Sequence, residues 1–297
     1  MVNQVISASR YNVLQGRIDN ILGIGSGDTG YNQTVTSSQV PVGKTVTAED
    51  MNNLHTDYNK TRIHQTAAVP GTINTVATEA DITEALHVAY ENLISSIEND
   101  KLVVGTGQAA VESFGNASTR TAIWGGAADP QSCTHEFSII WTSENNRRGF
   151  FNAGGEIRFA SSLTGIPGSG ASASKSLNWQ NMLNNMGTIK FNHTSTVSTG
   201  TGTGTSIGNY DLTSSYQQIF TKAGGVGSVY ESNDYTISAK LTNSTTITFK
   251  VIFQDDASGG ADESVSGTLS STISQFRSTG VYVSSESPTA TNLVTLA

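Results

Sequence analysis

The sequence predicts an α+β chain: short N-terminal helical segments followed by a mainly antiparallel, jelly-roll-like β-sandwich. Three observations predict it. Before residue 130, apolar residues recur at spacings of three and four in three separate segments. From Glu136 onward the apolar spacing changes to two. The chain is also poor in charge (13%) and carries 30 glycines, which suits many short strands with hydroxyl-rich outer faces. The expected division is an N-terminal helical region over 1–130 and a C-terminal β-sandwich domain over 131–297.

In the first helical segment, Tyr11, Leu14, Ile18 and Ile21 form one apolar stripe, stopped by glycines 23, 25, 27 and 30. The second starts at Thr47-Ala48-Glu49-Asp50, where a hydroxyl and a carboxylate can satisfy free backbone N–H groups. Met51, Leu54 and Tyr58 follow on one face. The third is expected from Thr78-Glu79-Ala80-Asp81, with Ile82, Leu86, Ala89, Leu93 and Ile97 along one side. Helices this short, each with one narrow apolar face, need partners. The long polar loops between them leave open whether those partners lie in the same chain or in other copies.

Phe137, Ile139 and Trp141 begin the β region. Phe150-Phe151 and Ile157 with Phe159 flank Asn152-Ala153-Gly154-Gly155, which reads as a β-hairpin turn with both glycines at positive φ. A Gly/Ser loop (165–174) leads to a short helix over Leu177–Met186, whose Trp179, Met182, Leu183 and Met186 share a face and whose end is marked by Gly187. Ile189 and Phe191 resume alternation, and 198–205 reads as a connector. Further strands are expected at Tyr216–Thr221, Tyr235–Leu241, Ile247–Phe253, Val265–Ile273 and Val281–Val283. The clean alternation on either side of Asn243-Ser244 makes Tyr235–Phe253 the best-defined hairpin. No internal repeat of fixed period is evident.

The function classes narrow by elimination. A net charge of −8, with basic residues scattered, argues against nucleic-acid binding. No apolar run is long enough to span a membrane, and the N-terminus lacks the layout of a secretory signal, so no membrane insertion is expected. Gly25-Ser26-Gly27-Asp28-Thr29-Gly30 matches a dinucleotide fingerprint, but a helix precedes it where a strand is required; the expectation is a helix stop and loop. His55, His64, His87, His135 and His193 lack a metal or catalytic spacing. Cys133 and His135 could share a strand face, but no orienting group accompanies them. Asp255, Asp256, Asp262 and Glu263 around a glycine turn could hold calcium, although a polar hairpin tip accounts for them better. Trp124, Trp141, Trp179 and the tyrosines, Tyr230 among them, could stack on sugars, although regular core positions account for Trp141 and Trp179 better. No catalytic residues, no cofactor and no metal site are therefore expected.

Three strings carry a resemblance: Ser7–Gln33; Gly43–Leu54 with Arg62–Thr66; and, most specific, Arg148–Phe159. Together they resemble virion structural proteins of tailed bacteriophages, often labelled tail-fibre-like, especially those of marine cyanophage-like myoviruses. The likeness spans about residues 1–193; the last third fits by composition alone. The resemblance implies a non-enzymatic part of the particle, in tail, baseplate or fibre. It would be assembled in the host bacterial cytoplasm and located in the virion. The expected partners are further copies of the chain, with a trimer favoured, and other virion proteins. The residues expected to mediate oligomerisation are Tyr11, Leu14, Ile18, Ile21, Ile82, Leu86, Leu93 and Ile97. The alternatives are a carbohydrate-binding adhesin for a host-surface glycan, a head decoration protein and, last, a glycan depolymerase, which would need a carboxylate pair in a cleft.

Overall fold

The computed structural model describes residues 6–71, 73–78, 80–225, 228–258 and 263–296. It is of the α+β class, with five α-helices and two antiparallel sheets among the described residues. Against the expected division at residue 130, the chain forms two compact units with interleaved segments. The first comprises 1–110, 144–155 and 277–286; the second comprises 111–143, 156–276 and 287–297.

The first unit is built on α1 (Ala8–Leu22), α2 (Ala48–Thr66) and α3 (Glu84–Asn99). Each is opened by a hydroxyl that accepts a backbone N–H: Ser7 from Arg10, Thr47 from Asp50, Thr83 from Leu86. At Thr47 the Asp50 carboxylate returns the bond, giving the expected capping box. The third helix starts later than expected, at Thr83, because that threonine supplies the cap. Ile82 therefore lies outside it.

All three helices run the same way. Arg10 pairs with Glu84 near the starts of α1 and α3, and Arg17 with Glu98 further along both. The Tyr11 hydroxyl donates to the Asp50 carbonyl at the start of α2, and Gln65 at its end donates to the Ile97 carbonyl. Parallel helices need return connections, which accounts for the long polar loops. Two asparagines hold these returns. Asn12 exchanges both amide hydrogen bonds with the Val40 backbone, and Asn52 does the same with Val76. Each lies five residues after its helix cap.

The core repeats with the same regularity. Counted from the caps at Ser7, Thr47 and Thr83, equivalent positions are buried in all three helices: Tyr11, Met51 and His87; Leu14, Leu54 and Tyr90; Ile18, Tyr58 and Ile94; Ile21, Thr61 and Ile97. The sequence thus contains a threefold repeat of core spacing that mixed residue types conceal. Ala153 and Val283, from the two later segments of the unit, complete this core.

Residues 144–155 correct the expected β-hairpin. Glu144–Asn152 is a helix, α4, and the turn after it leads into a strand. Phe150 and Phe151 are buried on α4, not in a sheet. Gly154 has the expected positive φ of 79°, but Gly155 does not. A Cβ on Gly154 would collide with Val104, whereas Gly165, at φ 65°, faces open space. Both alanine variants carry the left-handed strain of roughly 1 kcal/mol. Gly154→Ala is expected to lower the melting temperature clearly further than Gly165→Ala, and equal losses would show that the Val104 contact does not matter.

The second unit is the sandwich. Its strands are β1 (Ala109–Arg120), β2 (Ser132–Ile140), β3 (Glu156–Thr164), β4 (Ile189–Phe191), β5 (Thr196–Ser198), β6 (Thr203–Gly204), β7 (Gln217–Ala223), β8 (Asp234–Asn243), β9 (Thr246–Gln254), β10 (Thr268–Ser278) and β11 (Thr289–Leu296). One sheet has the order β1-β10-β3-β4-β5 and the other β11-β2-β9-β8-β7-β6. The likeness to a jelly roll goes no further than two packed antiparallel sheets. The expected hairpin is β8–β9, with Tyr235 opposite Phe253 and Leu241 opposite Ile247. The connector 198–205 contributes β6, and Val281–Val283 is not a strand. Alternation places Cys133, His135, Phe137 and Ile139 of β2 on the inner face. Phe249 of β9 meets Phe159 and Phe191 of the facing sheet, at ring distances of 5.0 and 5.2 Å. Helix α5 (Ala171–Met186) starts earlier than expected and packs Trp179 against Trp124 and Phe253. Gly187 ends it at φ 62°.

Candidate functional site

The residues expected to join copies of the chain are largely used within it. Tyr11, Leu14, Ile18, Ile21 and Ile97 are buried in the helical core, so the apolar stripes of α1 and α3 are not free faces. Ile82, Leu86 and Leu93 are half-buried against that core. The stripe of α3 that faces inward is His87, Tyr90, Ile94 and Ile97, rotated from the expected one. The physical reason is the parallel arrangement, which lets each helix cover the other two.

The glycine run is a structural loop. Gly25, Gly27 and Gly30 all have positive φ, and a Cβ on Gly30 would fall on the Ile24 carbonyl. The Arg148 guanidinium donates to the carbonyls of Gly27 and Thr29, both at 3.0 Å, and Asn152 donates to that of Gly30. The loop therefore presents carbonyl oxygens to a cation, the reverse of a phosphate cradle. Asn32 also donates to Asn146 at 2.6 Å. Nearby, the buried Asp57 carboxylate accepts the backbone N–H groups of Thr36 and Ser37 and the Lys60 ammonium, pinning the return loop to α2. The strings Ser7–Gln33 and Arg148–Gly155, far apart in sequence, are thus hydrogen-bonded to one another inside the helical unit.

The histidines do not converge. His64 is buried against Tyr31 in the helical unit, where burial lowers its pKa to about 4, slightly offset by the Ala153 backbone. His87 sits beside Glu91 and Arg10. His55 bonds to the Ile73 carbonyl, and His193 stacks on Tyr210. His135 is buried against Phe253; burial first, and the Arg120 charge second, lower its pKa to about 4. Burial pushes the Cys133 thiol up, although Arg120 pulls the other way. A protonated thiol beside a neutral imidazole in a closed core is not an activated nucleophile.

The acidic turn is likewise dispersed. Asp255 pairs with Lys175, Glu263 accepts the Tyr230 hydroxyl, and Asp256 accepts from Gln254. Asp262 lies outside the described residues. Among the described residues, no group of three or more His, Cys, Asp or Glu could hold a metal ion. Trp124, Trp141, Trp179 and Tyr230 are all buried, so the aromatics considered as sugar platforms are core side chains. Among the described residues, no helix is long and apolar enough to cross a membrane. The feature that sequence reading missed is Lys175 against Asp255. The two lie far apart in the chain, and no local pattern connects them.

Comparison with family models, curated proteins and solved structures gave no match for this chain.

Proposed function

We propose that the chain is a non-enzymatic structural component of a tailed-phage particle, placed in tail, baseplate or fibre. It would assemble in the host cytoplasm with itself and with neighbouring virion proteins. The observation that supports this most is the meeting of the resemblance-bearing strings. Arg148 and Asn152 of one string hold the glycine loop of another, so the parts of these strings that lie in the helical unit form one hydrogen-bonded piece, suited to dock together. The composition agrees with the reading: low charge and abundant hydroxyls.

Because the helix stripes are covered, self-association in this reading runs through outer sheet faces and edge strands. Sedimentation of the full chain at micromolar concentration is expected to show an oligomer, a trimer first among the choices. A strict monomer would overturn self-assembly. An averaged image of the intact particle should place the chain in tail, baseplate or fibre, whereas density in the head alone would favour a decoration protein.

A further inference from the structure

Lys175 and Asp255 form an ion pair with both side chains fully buried, the Lys175 Nζ lying 2.5 Å from Asp255 Oδ2. The setting is apolar. Trp179 and Phe253, close in sequence to Lys175 and Asp255, and Trp124, next to Gly125, pack their rings on one another at centroid distances of 4.9 to 6.3 Å. Both partners are held in place. Nζ also donates to the Gly125 carbonyl at 2.8 Å. Asp255 Oδ1 accepts the Ala257 N–H at 3.2 Å, and the Asp255 N–H donates to the Gln131 carbonyl. Gly125 has a φ of 76°, and a Cβ there would fall on the Asp255 carboxylate, so the backbone is shaped around the pair.

We propose that Lys175 and Asp255 condense to an intramolecular amide, a covalent cross-link between α5 and the chain leaving β9. The step balances without a co-reactant. A proton passes from Nζ to Oδ2, and the freed nitrogen lone pair attacks Cγ. Negative charge then grows on Oδ1, where the Ala257 N–H meets it. The Cγ–Oδ2 bond breaks, a second proton from nitrogen leaves with that oxygen as water, and the amide remains. The geometry supplies the approach, since an N···O contact of this length places the nitrogen near the roughly 3–3.5 Å separation from which attack occurs. The environment supplies the direction. Burying two ions is costly, and the product carries no charge. Loss of the released water to bulk from a dry site opposes the reverse hydrolysis.

The test is the intact mass of the purified full-length chain under denaturing conditions, followed by peptide mapping. The expected result is a mass lower by one water, together with a branched peptide joining the segments that contain Lys175 and Asp255. Lys175→Arg should restore the full mass and abolish the branched peptide. A folded wild-type chain that keeps its full mass after prolonged standing would overturn the proposal and leave a buried ion pair only. So would a water loss without the branched peptide, as from succinimide formation at an aspartate. Both decisive readings come from the wild-type chain, so they stand even if the variant fails to fold.

Discussion

Alanine in place of Phe249 is expected to lower the stability of the chain by about 3–5 kcal/mol, the range for deleting a buried aromatic ring. Phe249 is fully buried at the centre of β9, with Phe137 opposite it on β2 and Ala239 on β8. It also receives Phe159 and Phe191 from the facing sheet. Removing the ring strips contacts from both layers at once, and the extended strands around it cannot close the gap without breaking register. Leu177→Ala on α5, where the side chain is 46% exposed, is the matched control and should change stability by roughly 0.5 kcal/mol or less. Urea unfolding of the two variants measures the difference; equal midpoints would mean that Phe249 is not the contact between the sheets.

Acidification is expected to destabilise the chain well above the pH at which carboxylates titrate. His64 and His135 are buried, and in the folded chain their pKa values fall to about 4 from 6.5. The folded state therefore holds both imidazoles neutral, while the unfolded chain takes up protons as pH drops through 6.5. This contribution is complete above that pH, is lost progressively toward 4, and changes little below it. At 1.36 kcal/mol per unit, each histidine accounts for about 3 kcal/mol over the window. Denaturant melts at half-unit steps from pH 7.5 to 4 should show the decline, and His135→Leu should flatten it. A stability independent of pH between 6.5 and 4.5 would show that protons reach these rings without unfolding.

How much of this was legible depends on how local each signal is. The capping box at Thr47, the stripe Tyr11/Leu14/Ile18/Ile21 and the β8–β9 alternation are all short-range patterns, and each is found where the sequence places it. Phe150-Phe151 reads as the first arm of a hairpin because the pair is β-favouring and three asparagines and a glycine within 144–152 weaken the helical signal. Burial of both rings within the unit overrides that propensity. β1 was missed because its sequence, AAVESFGNASTR, shows no clean alternation, and its edge position in the sheet demands none. The apolar stripes identified the right residues, but a stripe says only that a face is covered. Whether the cover comes from the same chain depends on helix direction, which Arg10, Arg17 and Gln65 set through partners far away in sequence.

The threading of the chain has a consequence for its synthesis. The three helices of the first unit that precede residue 100 are complete by Asn99, yet their shared core also contains Ala153 and Val283. The Ser278 hydroxyl, donating to the Ala153 carbonyl, ties these late segments together. Folding during translation ordinarily proceeds from the N-terminal end. Here the part made first is finished nearly last, after almost every strand has emerged from the ribosome. A chain that stopped before Val283 would leave a gap among helices that are themselves intact in sequence. A binding surface formed on the helical unit would therefore be withheld until the segment 277–286 had been made.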